Sequence, residues 1–165
     1  MLYVSTSRKP TSKTRILAKW LERLLGGESE NRGKRSVSDI AGRMGQKGFN
    51  RAVFVYERHG NPFSLNFLDV DDGWLYPEVL IGEYSFPEKA GKRVPYATSA
   101  EAKDAKGKKI LEMMGFENAE VDDGLNMRVN ENELAFYEGK TKVFSLKIKG
   151  FREAREAKKE DEIGD

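Results

Sequence analysis

Tyr56-Glu57-Arg58-His59-Gly60-Asn61-Pro62-Phe63-Ser64-Leu65-Asn66-Phe67 is the stretch on which the fold turns. It is entered through Ala52-Val53-Phe54-Val55-Tyr56, a continuous apolar run that predicts a buried strand. His59-Gly60-Asn61-Pro62 is a turn cluster, after which Phe63, Leu65 and Phe67 alternate as a half-buried strand. The pattern returns 81 residues later, as Tyr137-Glu138, five residues, then Phe144-Ser145-Leu146-Lys147-Ile148. A second echo lies upstream, with Tyr3-Val4-Ser5-Thr6-Ser7 set against Tyr96-Ala97-Thr98-Ser99 at an offset of 93. The offsets differ by 12, about the length of extra loop and helix turns around residues 28–48. Two copies of a strand–helix–strand–strand unit are therefore expected, with a basic insertion in the first only.

Working outward, Leu2-Tyr3-Val4-Ser5 predicts a short first strand. Pro10, Thr11 and Ser12 supply helix-start chemistry for a segment whose Ile16, Leu17, Trp20, Leu21, Leu24 and Leu25 recur at helical spacing. Gly26-Gly27 ends it, and Glu28 to Arg35 is a polar loop. Ser36 with Asp39 resembles a capping box for a second helix, which Gly45 and Gly48 stop. An extended stretch from Trp74 to Tyr84 precedes a charged, proline-bearing connection, Phe86 to Pro95. A lysine-rich helix is expected from Ser99 to Gly115, then strands near 125–130, 133–138 and 142–149. The implied class is α/β in the mixed α+β sense, two pseudo-symmetric halves each with a helix packed on a small mixed sheet. The halves cover about residues 1–85 and 94–151, and 152–165 form a charged tail.

Composition narrows the chemistry. At 165 residues the chain can bury roughly 70% of its unfolded surface, so it needs no covalent staples. It has no cysteine, which excludes disulfides, thiolate metal sites and a cysteine nucleophile. His59 is the single histidine, which disfavours histidine metal sites and a Ser-His-Asp triad. At 38% hydrophobic and 34% charged residues, with no long apolar run, a soluble intracellular domain without a leader or membrane span is expected. The net charge of +2 conceals an asymmetry: residues 1–60 hold 13 Lys/Arg and 5 Asp/Glu, residues 61–165 hold 16 and 22. A basic front of +8 fits a polyanionic partner such as nucleic acid, or equally a solvated helix face.

The strand-to-helix loop is the first candidate site. Ser7, Arg8, Lys9, Lys13 and Arg15 combine a hydroxyl, guanidinium forks and ammonium groups at a helix N-terminus, which is phosphate-binding chemistry. A capped helix with ordinary surface lysines would use the same residues, but cations at the positive end of the dipole favour binding. Asn31, Arg32, Gly33, Lys34 and Arg35 form the second candidate, a short basic loop able to meet phosphates or unpaired bases. Gly45-Gln46-Lys47-Gly48 has the Gly-x-x-Gly spacing of KH loops, but it precedes a strand and is taken as a helix stop. Asp69, Asp71, Asp72 and Gly73, like Asp122-Asp123-Gly124, are taken as turns, not as metal ligands. No catalytic constellation stands out, and no cofactor or metal is expected.

Taken together, Thr6-Ser7-Arg8-Lys9-Pro10, Thr14-Arg15, Asn31-Arg32-Gly33-Lys34 with Ser36 and Asp39, Tyr56-Glu57, and Gly60-Asn61-Pro62 with Phe67 resemble the Brix-domain family of ribosome-biogenesis proteins. The likeness holds in order and spacing over about the first 70 residues and more loosely to Phe151, and it looks like an archaeal, single-domain version. It implies a duplicated fold whose halves resemble the anticodon-binding domain of class IIa aminoacyl-tRNA synthetases. It also implies non-catalytic binding of rRNA or pre-rRNA during subunit assembly and rRNA processing, in the cytoplasm (the nucleolus in a eukaryote), with ribosome-assembly proteins as further partners. Carried onto this chain, Arg8, Lys9, Arg15, Arg32 and Lys34 become the expected RNA contacts. The alternatives are a protein-interaction module whose basic face docks an acidic partner, and a Mg²⁺-dependent nuclease using Asp69, Asp71 and Asp72.

Overall fold

The computed structural model describes residues 2–86, 96–118 and 123–154. The first half of the chain forms β1 (Tyr3–Thr6), α1 (Ser12–Leu25), β2 (Glu28–Ser29), α2 (Val37–Gln46), β3 (Arg51–Arg58), β4 (Asn61–Asp69) and β5 (Gly73–Ser85). The second forms β6 (Ala97–Ala102), α3 (Ala105–Met114), β7 (Leu125–Val129), β8 (Glu133–Glu138) and β9 (Thr141–Arg152). All nine strands join one mixed sheet in the order β2-β1-β3-β4-β5-β9-β8-β7-β6. The expected pair of small sheets is thus a single large one, because β5 and β9 pair antiparallel, with Val79 opposite Phe151 and Tyr84 opposite Leu146.

Strand alternation sorts the side chains into two layers. Leu2 and Val4, Val53 and Val55, and Leu65 and Phe67 enter one core with Leu17, Leu21 and Leu24 of α1 and Ile110, Leu111 and Met114 of α3. Each such leucine contributes about 1.5–3 kcal/mol by burial. Tyr3, Ala52, Phe54 and Leu68 face the other way and pack with Ile40 and Met44 of α2. Helices α1 and α3 therefore share one face, and α2 sits on the opposite one.

The helix ends follow local chemistry. Ser36 and Asp39 form the expected box at α2, each side chain accepting from the other's backbone N–H at 3.0 Å. Gly26 closes α1 in the left-handed region at φ 70°, sending its N–H to the Glu22 carbonyl. Gln46 ends α2 just before Gly48, so Gly45-Gln46-Lys47-Gly48 is a helix stop. Ile16, expected on the buried side of α1, is half exposed.

Two expected boundaries need correction. Ser99 to Ala102 is strand, not helix: β6 runs parallel to β7, buries Ser99, Ala100 and Ala102, and overrides the helical propensity of its alanines. The helix begins after Asp104, whose side chain accepts from Gly107 N at 2.7 Å. Arg152, expected to open the tail, is the last residue of β9 and pairs with buried Glu78 on β5. The connection over 87–95, Asp122 and the tail from 155 lie outside the described residues.

The echo at offset 93 lays β1 on β6, strands that hold the same place in the chain path. The echo at offset 81 lays the β3–β4 hairpin on β8–β9, although the hairpin that follows β6 and α3 is β7–β8. The two matched hairpins share a tight turn with a positive-φ glycine, Gly60 in one and Gly139 in the other.

Candidate nucleic-acid interface

Both candidate loops lie beyond the end of β1. Ser7 continues the sheet by donating its N–H to the Val55 carbonyl, and the chain then turns out through exposed Arg8 and Lys9, the latter at φ 48°. The start of α1 is already occupied by an anion. The Thr11 amide donates to Glu57 Oε1, and the Thr11 hydroxyl lies 2.8 Å from both that oxygen and the Gly60 carbonyl. Burial pulls the Glu57 carboxyl up, but the hydroxyl of Thr14, the amide and hydroxyl of Thr11 and the charge of Arg15 outweigh it and hold it below the ordinary glutamate value. Lys13 reaches Asn61 Oδ1 at 3.2 Å, and Arg15 leans on Ser12 Oγ at 3.4 Å, both exposed.

In the second loop, Asn31, Lys34 and Arg35 are exposed, and Gly33 takes φ 59°. Arg32 differs from the rest: it is only 4% exposed. Its amide donates to Thr6 Oγ1 at 3.2 Å, its Nε to the Arg35 carbonyl at 3.0 Å and its Nη1 to the Tyr56 hydroxyl at 3.4 Å. Arg32 therefore pins the loop to β1 and β3 as well as carrying charge. Arg43 and Lys47 of the basic segment are paired with Glu30 and Glu28. Arg8, Lys9, Lys34 and Arg35 form no ion pair among the described residues.

Ser7, Arg8 and Arg32 meet at one pocket of about 360 Å³ on the α2 side of the sheet. Its other walls come from Val37 of α2 and from the strands: Tyr56, Glu57 and Arg58 from β3, Phe63, Ser64 and Asn66 from β4, Trp74, Tyr76 and Glu78 from β5, and Arg152 from β9. The Arg58 guanidinium lies 3.8 Å from the Phe63 ring centre, and Arg152 lies 5.7 Å from it. Trp74 meets Phe54 edge-on at 5.2 Å. Lys9, Lys13, Arg15, Asn31, Gly33, Lys34 and Arg35 do not line this pocket. The strand contribution escaped the sequence reading because Phe63, Trp74 and Tyr76 look like ordinary core positions, and Ser64 and Asn66 look like the solvent side of a half-buried strand although both are buried. The Asp69 carboxylate is used locally, accepting from the amides of Asp71 and Asp72 and from Arg51.

No family model matches the chain. A probable Brix domain-containing ribosomal biogenesis protein of Methanothermobacter thermautotrophicus is 31% identical over 161 residues, spanning 92% of this chain and 98% of the relative. The chain belongs to the Brix domain-containing ribosomal biogenesis proteins. A second such protein, from Methanosarcina mazei, is 28% identical over 165 residues and is matched across 99% of its length. Among solved structures, the crystal structure of Mil, an archaeal Imp4-like protein, superposes with a TM-score of 0.71 at 28% identity, covering 93% of this chain and all of that one. A probable ribosomal biogenesis protein from Aeropyrum pernix shares the fold at a TM-score of 0.68 and 20% identity, covering 90% of this chain and 95% of that one. No helix among the described residues of this Brix-family chain is long and apolar enough to cross a membrane.

Proposed function

We propose that this chain is a non-catalytic ribosome-biogenesis factor that binds rRNA or pre-rRNA while a subunit is assembled and its RNA processed. The observation that carries the reading is the meeting of Ser7, Arg8 and Arg32, from two separate loops, at a pocket with aromatic walls. Phosphate-binding and base-stacking groups then stand side by side, as single-stranded RNA requires. Lys9, Lys13, Arg15, Asn31, Gly33, Lys34 and Arg35 would extend the contact along the backbone of the RNA. The archaeal relatives, named as probable ribosomal biogenesis proteins, support the ribosomal setting. The cytoplasm is where such RNA is met in a cell without a nucleus.

The duplicated architecture, with halves near 1–85 and 94–151, belongs to the same proposal. Its support is that β1 and β3 run parallel with α1, β2 and α2 between them, as β6 and β7 do with α3 between them, and two antiparallel strands follow in each case. Crosslinking in native cells followed by RNA sequencing tests the function. Reads concentrated at discrete pre-rRNA positions are the expected result. Reads scattered in proportion to transcript abundance would instead hand the basic face to an acidic protein partner.

A further inference from the structure

We infer that the pocket on the α2 side of the sheet is a phosphate subsite, with buried Arg32 as its cation and the hydroxyls of Ser7 and Ser64 as its flanking donors. The inference rests on the RNA-binding reading and deepens it, because it names the group of the RNA that enters and the side chains that meet it.

Its starting point is a buried charge without a counter-ion. Arg32 is 4% exposed, and it forms no ion pair among the described residues. A guanidinium carries five N–H donors. Among the described residues only two acceptors meet this one, the Arg35 carbonyl at Nε and the Tyr56 hydroxyl at Nη1, and both are neutral. Arg51 and Arg152, which are also sheltered, hold the carboxylates of Asp69 and Glu78. A buried charge is ordinarily paired, so the Arg32 guanidinium calls for an anion from outside the chain.

Two hydroxyls stand open in the same pocket. Ser7 Oγ, just past β1, and Ser64 Oγ, on β4, are buried without a hydrogen-bond partner among the described residues. Each can donate, and each swings about a single bond. The carboxylates on the wall are engaged away from Arg32: Glu57 accepts from Thr11, and Glu78 accepts from Asn66 and Arg152. Asn66 Oδ1, the other open atom, is an acceptor and takes no part in holding an anion. Donors arriving from a loop, the end of β1 and β4 suit the tetrahedral oxygens of a phosphate better than the planar pair of a carboxylate. A pocket of about 360 Å³ lies at the small end of ligand sites, which run from about 300 to 1,000 Å³, and has room for one phosphate with its sugar. The phosphate is a terminal monoester or a backbone diester, which share this chemistry.

The test melts the full chain and its S7A/S64A variant in inorganic phosphate, acetate and chloride at equal ionic strength. Neither hydroxyl has a partner in the fold, so S7A/S64A should melt no lower than wild type in chloride. Phosphate is expected to raise the wild-type Tm above its value in acetate or chloride, and to raise the variant's by less. No rise in wild type, or an equal rise in both proteins as an excluded salt would give, overturns the subsite. So does a rise in acetate as large as in phosphate, which hands the pocket to a carboxylate; this comparison needs no variant. Fluorescence anisotropy then identifies the source, with labelled uridine heptamers bearing a 5′-phosphate or a 5′-hydroxyl. A preference of about tenfold for the phosphorylated heptamer, lost in S7A/S64A, assigns a terminal phosphate. Equal binding of the two by wild type, and about tenfold weaker binding of both by the variant, assigns a backbone phosphate. Identical affinities throughout overturn the subsite and leave RNA binding standing. If wild type binds neither heptamer, the RNA reading fails, while the Tm in phosphate still decides the pocket.

Discussion

The Glu57 carboxylate sits at the amino end of α1, accepting from the Thr11 amide across 46 positions of sequence. An internal negative charge thus faces the positive end of the helix dipole and ties β3 to the β1–α1 loop, while the Thr11 hydroxyl also lies within hydrogen-bond reach of the Gly60 carbonyl in the β3–β4 turn. E57Q keeps the shape and removes the charge, so it should lose about 1 kcal/mol at neutral pH. The folded-state pKa is depressed, so this stability is fully present above the ordinary value of 4.5 and is lost as pH falls through the lower folded value. Urea unfolding at pH 7 and pH 3 checks it: the gap between wild type and E57Q should narrow at pH 3.

Arg152 and Glu78 join the last described strand to the middle of the sheet with little solvent access, side chains 13% and 4% exposed. Removing one partner from a buried pair typically costs about 3–5 kcal/mol. R152A should therefore destabilise strongly, and the E78Q/R152A double variant less than the sum of its singles. Denaturation midpoints of the four proteins measure the coupling.

Gly107 looks like a helix position that alanine would improve by about 1 kcal/mol. A Cβ there would stand 2.3 Å from the Val129 carbonyl oxygen and 2.9 Å from Asp104 Oδ1. G107A is expected to destabilise by about 1–3 kcal/mol, because α3 would have to lift from β7. For a chain of this size that is a fall of roughly 2–4 °C in Tm per kcal/mol, visible by calorimetry.

If four to six phosphates are neutralised, RNA affinity should fall with salt at a log–log slope of roughly −3 to −5. The R8E/K34E variant should flatten that slope by about one per lost contact, read from binding isotherms at several salt concentrations. Arg8 and Lys34 are chosen because both are exposed. Arg32 would be a poor choice, since reversing it also frees the loop from Thr6 and Tyr56.

What the sequence disclosed was local. Ser36 and Asp39 sit three residues apart and cap α2 as their spacing demands; Gly26 stops α1; the apolar run Ala52 to Tyr56 is a buried strand. What it withheld depends on partners far along the chain. Ala97 to Ala102 becomes a strand only because β7 offers an edge, and Arg152 is buried only because Glu78 waits on β5. Arg32 looked like a free loop cation, and its burial needs Tyr56 from β3. At the site, Arg8 was legible as a cation beside a helix start and Arg32 as a cation of a short basic loop. The aromatic wall was not, since Phe63, Trp74 and Tyr76 come together only when β4 and β5 pair.

The antiparallel joint between β5 and β9 also fixes a length. Nine strands at about 4.8 Å apart set the β2 and β6 edges about 38 Å from one another along the sheet. Changing that span means breaking main-chain hydrogen bonds between β5 and β9, because no hinge loop interrupts the ladder there. On the proposed reading, an RNA lying along the sheet would meet a ruler with fixed graduations, and the nucleic acid would have to bend to fit.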